Sequence, residues 1–378
     1  MTHYSICSLF SSDQDSEEIA KYFFIVKKNG RDFWLIEDKF NSAVFLKSYP
    51  QITLKAKLYS ILLKTIWYFR LQSIFFEKRA YMVSGDSDYE KICRRYTKVG
   101  VFFGTPGVNR KFVVVAQKKD GRTVYFKIPT SDESRDLVKN EVVSLQSIDP
   151  ADLAPHLTPQ VLNIEGANGF TEVSARTARI SKKKKFSLLW DFYQKLSSKT
   201  IRRRDLNEVI NELYDYLGDL KSEFPNNNYK FSDLTTKCKQ QIEHLSTMSN
   251  YDIEMYKAHG DFTYWNMFIG RNEISVLDWE LSSFKPKYFD LIHLIVSNSI
   301  LVERKEKKAV YRELSSIFNE YFLVNNKEFQ KYFRLYLLYQ STYYLNKYRS
   351  QLEPLHVQIF WQIETWAALL DSIGLDDD

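Results

Sequence analysis

The stretch AHGDFTYWNMFIGRNEISVLDWE, residues 258–280, decides how the rest of the chain is read. Met267-Phe268-Ile269 and Ile274-Ser275-Val276-Leu277 are two β-like runs around the turn Gly270-Arg271-Asn272-Glu273. Paired as a hairpin centred near residue 272, they bring Asn266 roughly opposite Asp278, one at the outer end of each strand. An amide oxygen and a carboxylate placed together suit Mg2+, a hard cation that takes oxygen ligands and keeps waters and phosphates around it. Asp261, on the loop entering the hairpin, can face the same place without sitting on the metal. Phosphoryl transfer needs this division of labour: a metal neutralises phosphate charge, and a separate carboxylate orients an acceptor hydroxyl and takes its proton. A lone Asp or Asn is more often just a turn residue. Three of them with His259-Gly260 at this spacing argue for chemistry.

Upstream, Val124-Tyr125-Phe126-Lys127-Ile128 alternates, so that Val124, Phe126 and Ile128 share one strand face and Tyr125 and Lys127 the other. Glu141 sits in an expected helix over 131–148, opened by Thr130-x-x-Glu133 as a capping box. It falls inside the apolar stripe of Leu137, Val138, Val142, Leu145 and Ile148, where a carboxylate is costly unless a cation meets it. Lys127, on a neighbouring strand, is the natural partner. The loop Gly104-Thr105-Pro106-Gly107-Val108-Asn109 can let backbone amides approach phosphates. A plain hairpin turn explains it equally well.

Around these motifs the chain is ordinary folded material. Charged residues make up 26%, and with only 12 Gly and 9 Pro in 378 residues there is little room for long flexible linkers. The net charge of +6 suits a phosphate-bearing ligand, a nucleic acid or an anionic membrane and selects none of them. No nucleic-acid motif accompanies it. Cys7, Cys93 and Cys238 form no C-x-x-C pair, so neither zinc nor a disulfide framework is indicated, and a cytoplasmic home is expected. The opening MTHYSICSLFSSDQDSEE has neither a basic start nor an apolar core, so no secretory signal is expected.

Residues 21–37 read as a β-hairpin about Asn29-Gly30. Residues 51–76 read as a helix with Leu54, Leu58, Ile61, Leu62, Ile66 and Phe69 at helical spacing. Lys55, Lys57, Lys64 and Arg70 argue against a membrane span. The broad apolar face favours packing on the rest of the protein over lying on an anionic membrane, and both readings stay open. Strands dominate 91–129, with another at 169–175. Beyond about 185 the chain reads as helical, interrupted only at 257–280, with late helices near 288–302, 306–323, 327–349 and 355–373. The basic runs Lys182–Lys185 and Arg202–Arg204 read as solvated charge.

HGDFTYWN, then VLDWE, then Pro286-Lys287-Tyr288-Phe289-Asp290-Leu291 resemble the aminoglycoside phosphotransferase and choline kinase family, part of the protein-kinase-like superfamily. The resemblance spans about 100–295. It implies an α+β, two-lobed fold, with a β-rich nucleotide-binding lobe over 91–175 and a helical lobe over 176–378; residues 1–90, an N-terminal extension, have no counterpart in the minimal family fold. The resemblance also implies an ATP-dependent kinase acting on a hydroxyl of a sugar, amino sugar or amino alcohol; the aromatic, basic N-terminal extension adds surface-glycan metabolism as one setting. Asp261 would be the catalytic base, and Asn266 and Asp278 the Mg2+ ligands. Lys127 would hold ATP phosphates with Glu141 as its partner, alongside Gly104 and Gly107. His259 and Asp290 would brace the loop, Glu280 would support the metal strand, and Glu172–Arg179 would be the hinge reading adenine. Thr263-Tyr264-Trp265 departs from the family's usual His-Pro-Gly, which makes Tyr264 and Trp265 candidates for the acceptor pocket. A non-catalytic nucleotide-binding module is the alternative, disfavoured because all five expected polar residues are present. A metal-dependent hydrolase using His259 and Asp261 leaves Lys127 and Glu141 unexplained. Peripheral contact with the inner membrane face through 51–76 completes the set of expectations.

Overall fold

A computed structural model describes residues 6–11, 17–28, 30–40, 42–48, 54–104, 109–164, 167–173, 178–218, 229–248, 251–349 and 357–373. The chain forms two compact units, Met1–Ile148 with Thr158–Ser174, and Asp149–Leu157 with Ala175–Asp378.

The first unit is built on an eight-stranded sheet. Its strands are β1 (Glu18–Lys28), β2 (Arg31–Glu37), β3 (Glu77–Ser84), β4 (Lys98–Phe102), β5 (Lys111–Gln117), β6 (Thr123–Pro129), β7 (Val161–Ile164) and β8 (Ala167–Thr171), in the order β3-β1-β2-β4-β5-β6-β8-β7. Aromatic and β-branched residues fill them, as a pleated, half-buried surface favours. Trp34, Phe45, Val99, Val101, Val114 and Phe126 are fully enclosed in its core. The helices of this unit are α1 (Cys7–Phe10), α2 (Leu54–Tyr68), α3 (Gln72–Phe75), α4 (Asp88–Arg95) and α5 (Asp132–Gln146).

The hairpin at 21–37 forms, with Lys28 opposite Arg31 and Gly30 at φ +76. Asn29 lies outside the described residues. Strands β1, β2 and β3 share the sheet with the later strands, because β2 pairs with β4 through Trp34–Phe102 and Leu35–Val101. The expected helix over 51–76 breaks after Tyr68, where Arg70 takes the left-handed region at φ 57. The cap of α5 lies one residue later than its sequence suggests. Ser131 Oγ accepts the Ser134 N–H at 3.1 Å, and Ser134 Oγ accepts the Ser131 N–H at 3.0 Å. Thr130 donates its hydroxyl to the Arg110 carbonyl instead, at 2.6 Å.

The second unit comprises α6 (Pro150–Leu153), α7 (Lys182–Thr200), α8 (Leu206–Leu217), α9 (Tyr229–Thr247), α10 (Phe289–Ser297), α11 (Lys307–Ile317), α12 (Asn326–Arg349) and α13 (Val357–Ile373). It also carries β9 (Arg202–Asp205), β10 (Asp252–Ala258), β11 (Met267–Ile269), β12 (Ile274–Val276) and β13 (Ser283–Pro286). Strands β13, β10 and β9 form a second sheet that the helical reading beyond 185 does not anticipate. β10 alternates only in part, with Ile253 and Met255 buried in one phase and Tyr256 and Ala258 in the other, and β9 is Arg-Arg-Arg-Asp and shows no apolar pattern. Its Arg204 is not free solvated charge: the guanidinium pairs with Glu212 and Glu208.

Lys285 on β13 is enclosed by rings, with its Nζ 4.9 Å from the centre of Tyr339, 5.7 Å from Phe289 and 5.8 Å from Tyr216. Burial pulls its ammonium down from 10.5 to about 8. The unfolded chain therefore keeps this proton between about pH 8 and 10.5 where the folded chain has lost it. Stability rises with pH across that window, and at pH 7 the residue costs on the order of 3 kcal/mol. Lys285→Met should raise the melting temperature at pH 7, with the gain shrinking as melts are repeated towards pH 10.

Candidate active site

The loop between β10 and β11 is fixed by its backbone before its side chains act. His259 N–H and Gly260 N–H donate to the two carboxylate oxygens of Asp290, at 2.8 and 3.0 Å. Asp290 is 3% exposed and sits in the first turn of α10, and its own N–H donates to Tyr256 Oη at 3.0 Å. A carboxylate that accepts two backbone N–H groups in a buried place holds the chain at one position. Gly260 has φ +87, and a Cβ there would lie 2.2 Å from the Leu281 carbonyl oxygen, so only glycine fits.

His259 is fully buried and spans the hairpin's base. Its Nε2 donates to the Leu277 carbonyl at 2.7 Å, while Nδ1 accepts the Asp261 N–H at 3.2 Å, which fixes the neutral tautomer with the proton on Nε2. Its ring packs on Trp279 at 4.8 Å, and Phe262 stacks on Phe192 of α7 at 5.4 Å. Both ring nitrogens of His259 are thus engaged between the loop and the hairpin.

Both oxygens of the Asp261 carboxylate are engaged. Asn266 Nδ2 donates to Oδ2 at 2.9 Å and to the Asp261 carbonyl at 3.0 Å. His293 Nε2 lies 3.2 Å from Oδ1. The His293 Nδ1 is 3.1 Å from Tyr336 Oη on α12, and burial together with the Asp261 charge pushes that phenol well up, so it stays a donor. The chain of bonds runs from the Tyr336 hydroxyl to Nδ1, and from Nε2–H to the carboxylate. His293 is the partner of Asp261 that sequence reading missed. The available signal was its position three residues after Asp290 on one helix, a spacing that puts both on one face.

The hairpin pairs Met267 with Val276 and Ile269 with Ile274, so Asn266 lies opposite Leu277, one residue short of the expected Asp278. Leu277 N–H donates to the Asn266 carbonyl at 2.8 Å. Asp278 follows it in the left-handed region at φ 66, an uncommon place for a non-glycine residue and a frequent one at functional sites. A carboxylate oxygen of Asp278 lies within 4.8 Å of one from Glu280. Because Asn266 turns its amide nitrogen towards Asp261, its Oδ1 faces away from that carboxylate. An amide oxygen and carboxylate oxygens are the donor set a hard divalent cation prefers, so these residues fit Mg2+.

In the first unit, Lys127 Nζ donates to Glu141 Oε2 at 2.5 Å, with Glu141 buried and the Lys127 ammonium 5.3 Å from the centre of the Phe170 ring. The pair forms as the strand face and helix stripe predict. Gly104 has φ +73 and packs against the Lys111 carbonyl, as a turn glycine does; Gly107 lies outside the described residues. Of the segment Glu172–Arg179, residues 174–177 lie outside the described residues. The Glu172 carboxylate is tied to Lys47 at 2.7 Å.

Tyr264 begins a short 3-10 turn that ends at Asn266, and Lys185 Nζ lies 4.3 Å from the centre of its ring. Burial, with Glu303 and Glu313 adding to it, raises the Tyr264 hydroxyl, and burial lowers the Lys185 ammonium. Trp265 is partly exposed. On α12, Tyr343, Tyr344 and Lys347 feel the Asp261 charge.

No protein-family model and no curated protein matches the chain. Solved structures of small-molecule kinases are its structural neighbours. One is an amicoumacin kinase in complex with AMP-PNP and Ca2+, at 11% identity and TM-score 0.48, covering 73% of this chain and 90% of that one. A second is a choline/ethanolamine kinase family protein from Mesorhizobium loti, at 14% identity and TM-score 0.44, covering 72% and 87%. A third is a microcompartment-associated aminopropanol kinase, at 10% identity and TM-score 0.47, covering 75% and 97%. At these values the likeness is too distant to assign chemistry to the chain.

Proposed function

We propose that this protein is an ATP-dependent phosphotransferase that moves the γ-phosphoryl group to a hydroxyl of a sugar, amino sugar or amino alcohol. The observation that supports it most is the Asp261 carboxylate, oriented through both oxygens on a loop whose backbone Asp290 clamps. Each carboxylate oxygen has a further lone pair, so Asp261 can still accept an acceptor O–H. It takes that proton as the acceptor oxygen bonds to the γ-phosphorus, and the bond from γ-phosphorus to the bridging oxygen breaks to release ADP. The His293–Tyr336 chain keeps the carboxylate in its orientation. Asn266 Oδ1 and the Asp278 carboxylate would hold Mg2+, which when bound neutralises phosphate charge. Lys127, kept extended by Glu141, is assigned to the phosphates, and Tyr264 and Trp265 to the acceptor.

ADP release with Mg2+-ATP, measured across sugars, amino sugars, amino alcohols and aminoglycosides, tests the reading. Acceptor-dependent release is expected, and Asn266→Ala and Asp278→Asn should each raise the Mg2+ concentration needed for half-maximal rate by about tenfold or more. Nucleotide binding without any acceptor-dependent release would point to a non-catalytic module instead.

A further inference from the structure

The α2–α3 segment has no part in the proposed chemistry, and its side chains are distributed in an unusual way. At 3.6 residues per turn, Ser60, Leu63, Ile66 and Trp67 form the inner face of α2 and are buried. Trp67 packs on Phe45 and Phe76 at 4.9 and 5.0 Å. The opposite arc is also apolar. Leu54, Leu58, Ile61, Leu62 and Phe69 on it, with Ile74 on α3, are each between 54% and 75% exposed. The stripe that looks like a packing face in the sequence therefore points outward, except for Ile66. Lys57 and Lys64 fall on one border of this arc and Lys55 on the other, and Arg70 follows at the break. Neither helix contains an acidic residue.

An apolar arc left this exposed and rimmed by cations marks a docking surface. We propose that α2 and α3 seat this protein on an anionic lipid bilayer, with the outer apolar arc in the headgroup–acyl boundary and the bordering lysines on lipid phosphates. Lysines on the rims of an apolar arc are placed to lay their stems along it and keep their ammonium groups in the headgroup layer. A second copy of the chain fits the same face poorly, because it would oppose Lys57 and Lys64 with equivalent cations and no acid on either helix. No helix among the described residues is long and apolar enough to cross a membrane, so the contact is peripheral.

Sedimentation with vesicles tests this without any activity measurement, using phosphatidylcholine alone and phosphatidylcholine mixed with phosphatidylglycerol. The full chain should pellet with the mixed vesicles, stay in solution with the neutral ones, and be released as salt rises. Lys57→Gln with Lys64→Gln should weaken binding by about fivefold per lysine. Leu58→Ser with Ile61→Ser should weaken it by about tenfold or more, with melting temperature unchanged because neither side chain packs in the core. Equal pelleting with both vesicle types, no pelleting with either, or full binding by the Leu58→Ser/Ile61→Ser variant would overturn the proposal. A dimer in light scattering that this variant splits would assign the face to a second copy.

Discussion

Asp261→Asn is expected to lower acceptor-dependent ADP release by about 10²–10⁴-fold, the usual cost of losing a general base. The amide cannot take a proton from the acceptor hydroxyl at neutral pH. It is also mismatched to its neighbours, because Asn266 Nδ2 and His293 Nε2 both donate to the present carboxylate. Whichever way the new amide turns, its NH2 group meets one of those donors, so a contact worth about 1 kcal/mol is lost. The backbone clamp is untouched: Asp290 holds His259 and Gly260, not the Asp261 side chain. Thermal melting should therefore change little while the rate collapses. A purified Asp261→Asn protein that keeps its acceptor-dependent rate would remove Asp261 from the mechanism.

Gly260→Ala, one residue earlier, should do the reverse and cost stability first. Two penalties coincide there. A left-handed backbone disfavours any L side chain by about 1–2 kcal/mol, and the new Cβ would sit 2.2 Å from the Leu281 oxygen and 2.8 Å from its carbon. Backbone cannot step aside as a side-chain tip can, so the loop must move. Movement breaks the bond from Gly260 N–H to Asp290 and leaves a buried carboxylate oxygen without that donor. A loss on the order of 4 kcal/mol is expected, read as a lower melting temperature, with turnover falling alongside it. Gly121→Ala is the control. It shares φ +87 but has nothing within 4 Å of the new Cβ, so only the backbone penalty applies. A Gly260→Ala protein no less stable than Gly121→Ala would mean that the clamp does not hold the loop as described.

The two variants separate because the loop's position and its chemistry come from different residues, and only some of these are legible in sequence. Asp261, Asn266, His259 and Gly260 lie within eight positions of one another, so spacing alone brings them together. Lys127 and Glu141 were readable too, since an acid in an apolar helical stripe calls for a cation. Tyr336 is 43 positions from His293, and no periodicity reports that their side chains touch. The short strands β9 and β13 escape for a different reason: four residues give no period to count, and pairing with β10 alone makes them strands. The register of the β11–β12 hairpin was off by one because the turn's true centre falls between residues rather than on Asn272. For α2, the apolar spacing correctly gave a helix. It could not give the facing, because both arcs of that helix are apolar and burial depends on what stands beside it.

The chain's path between its units has a consequence for how this gene can evolve and be handled. It leaves the first unit at residue 148, spends 149–157 in the second, returns for 158–174, and only then leaves for good. The returning segment supplies β7 and β8, and β8 is the strand that pairs with β6. On the ribosome, the first sheet therefore stays open along β6 until the second unit has already begun to emerge. No single break in the gene separates one complete unit from the other. A fragment ending at 148 would expose the raw hydrogen-bonding edge of β6, an invitation to aggregate, and one starting at 149 would trail two strands with no sheet to join. Recombination and domain shuffling, which favour boundaries crossed once, are thus confined to exchanging the pair as a whole.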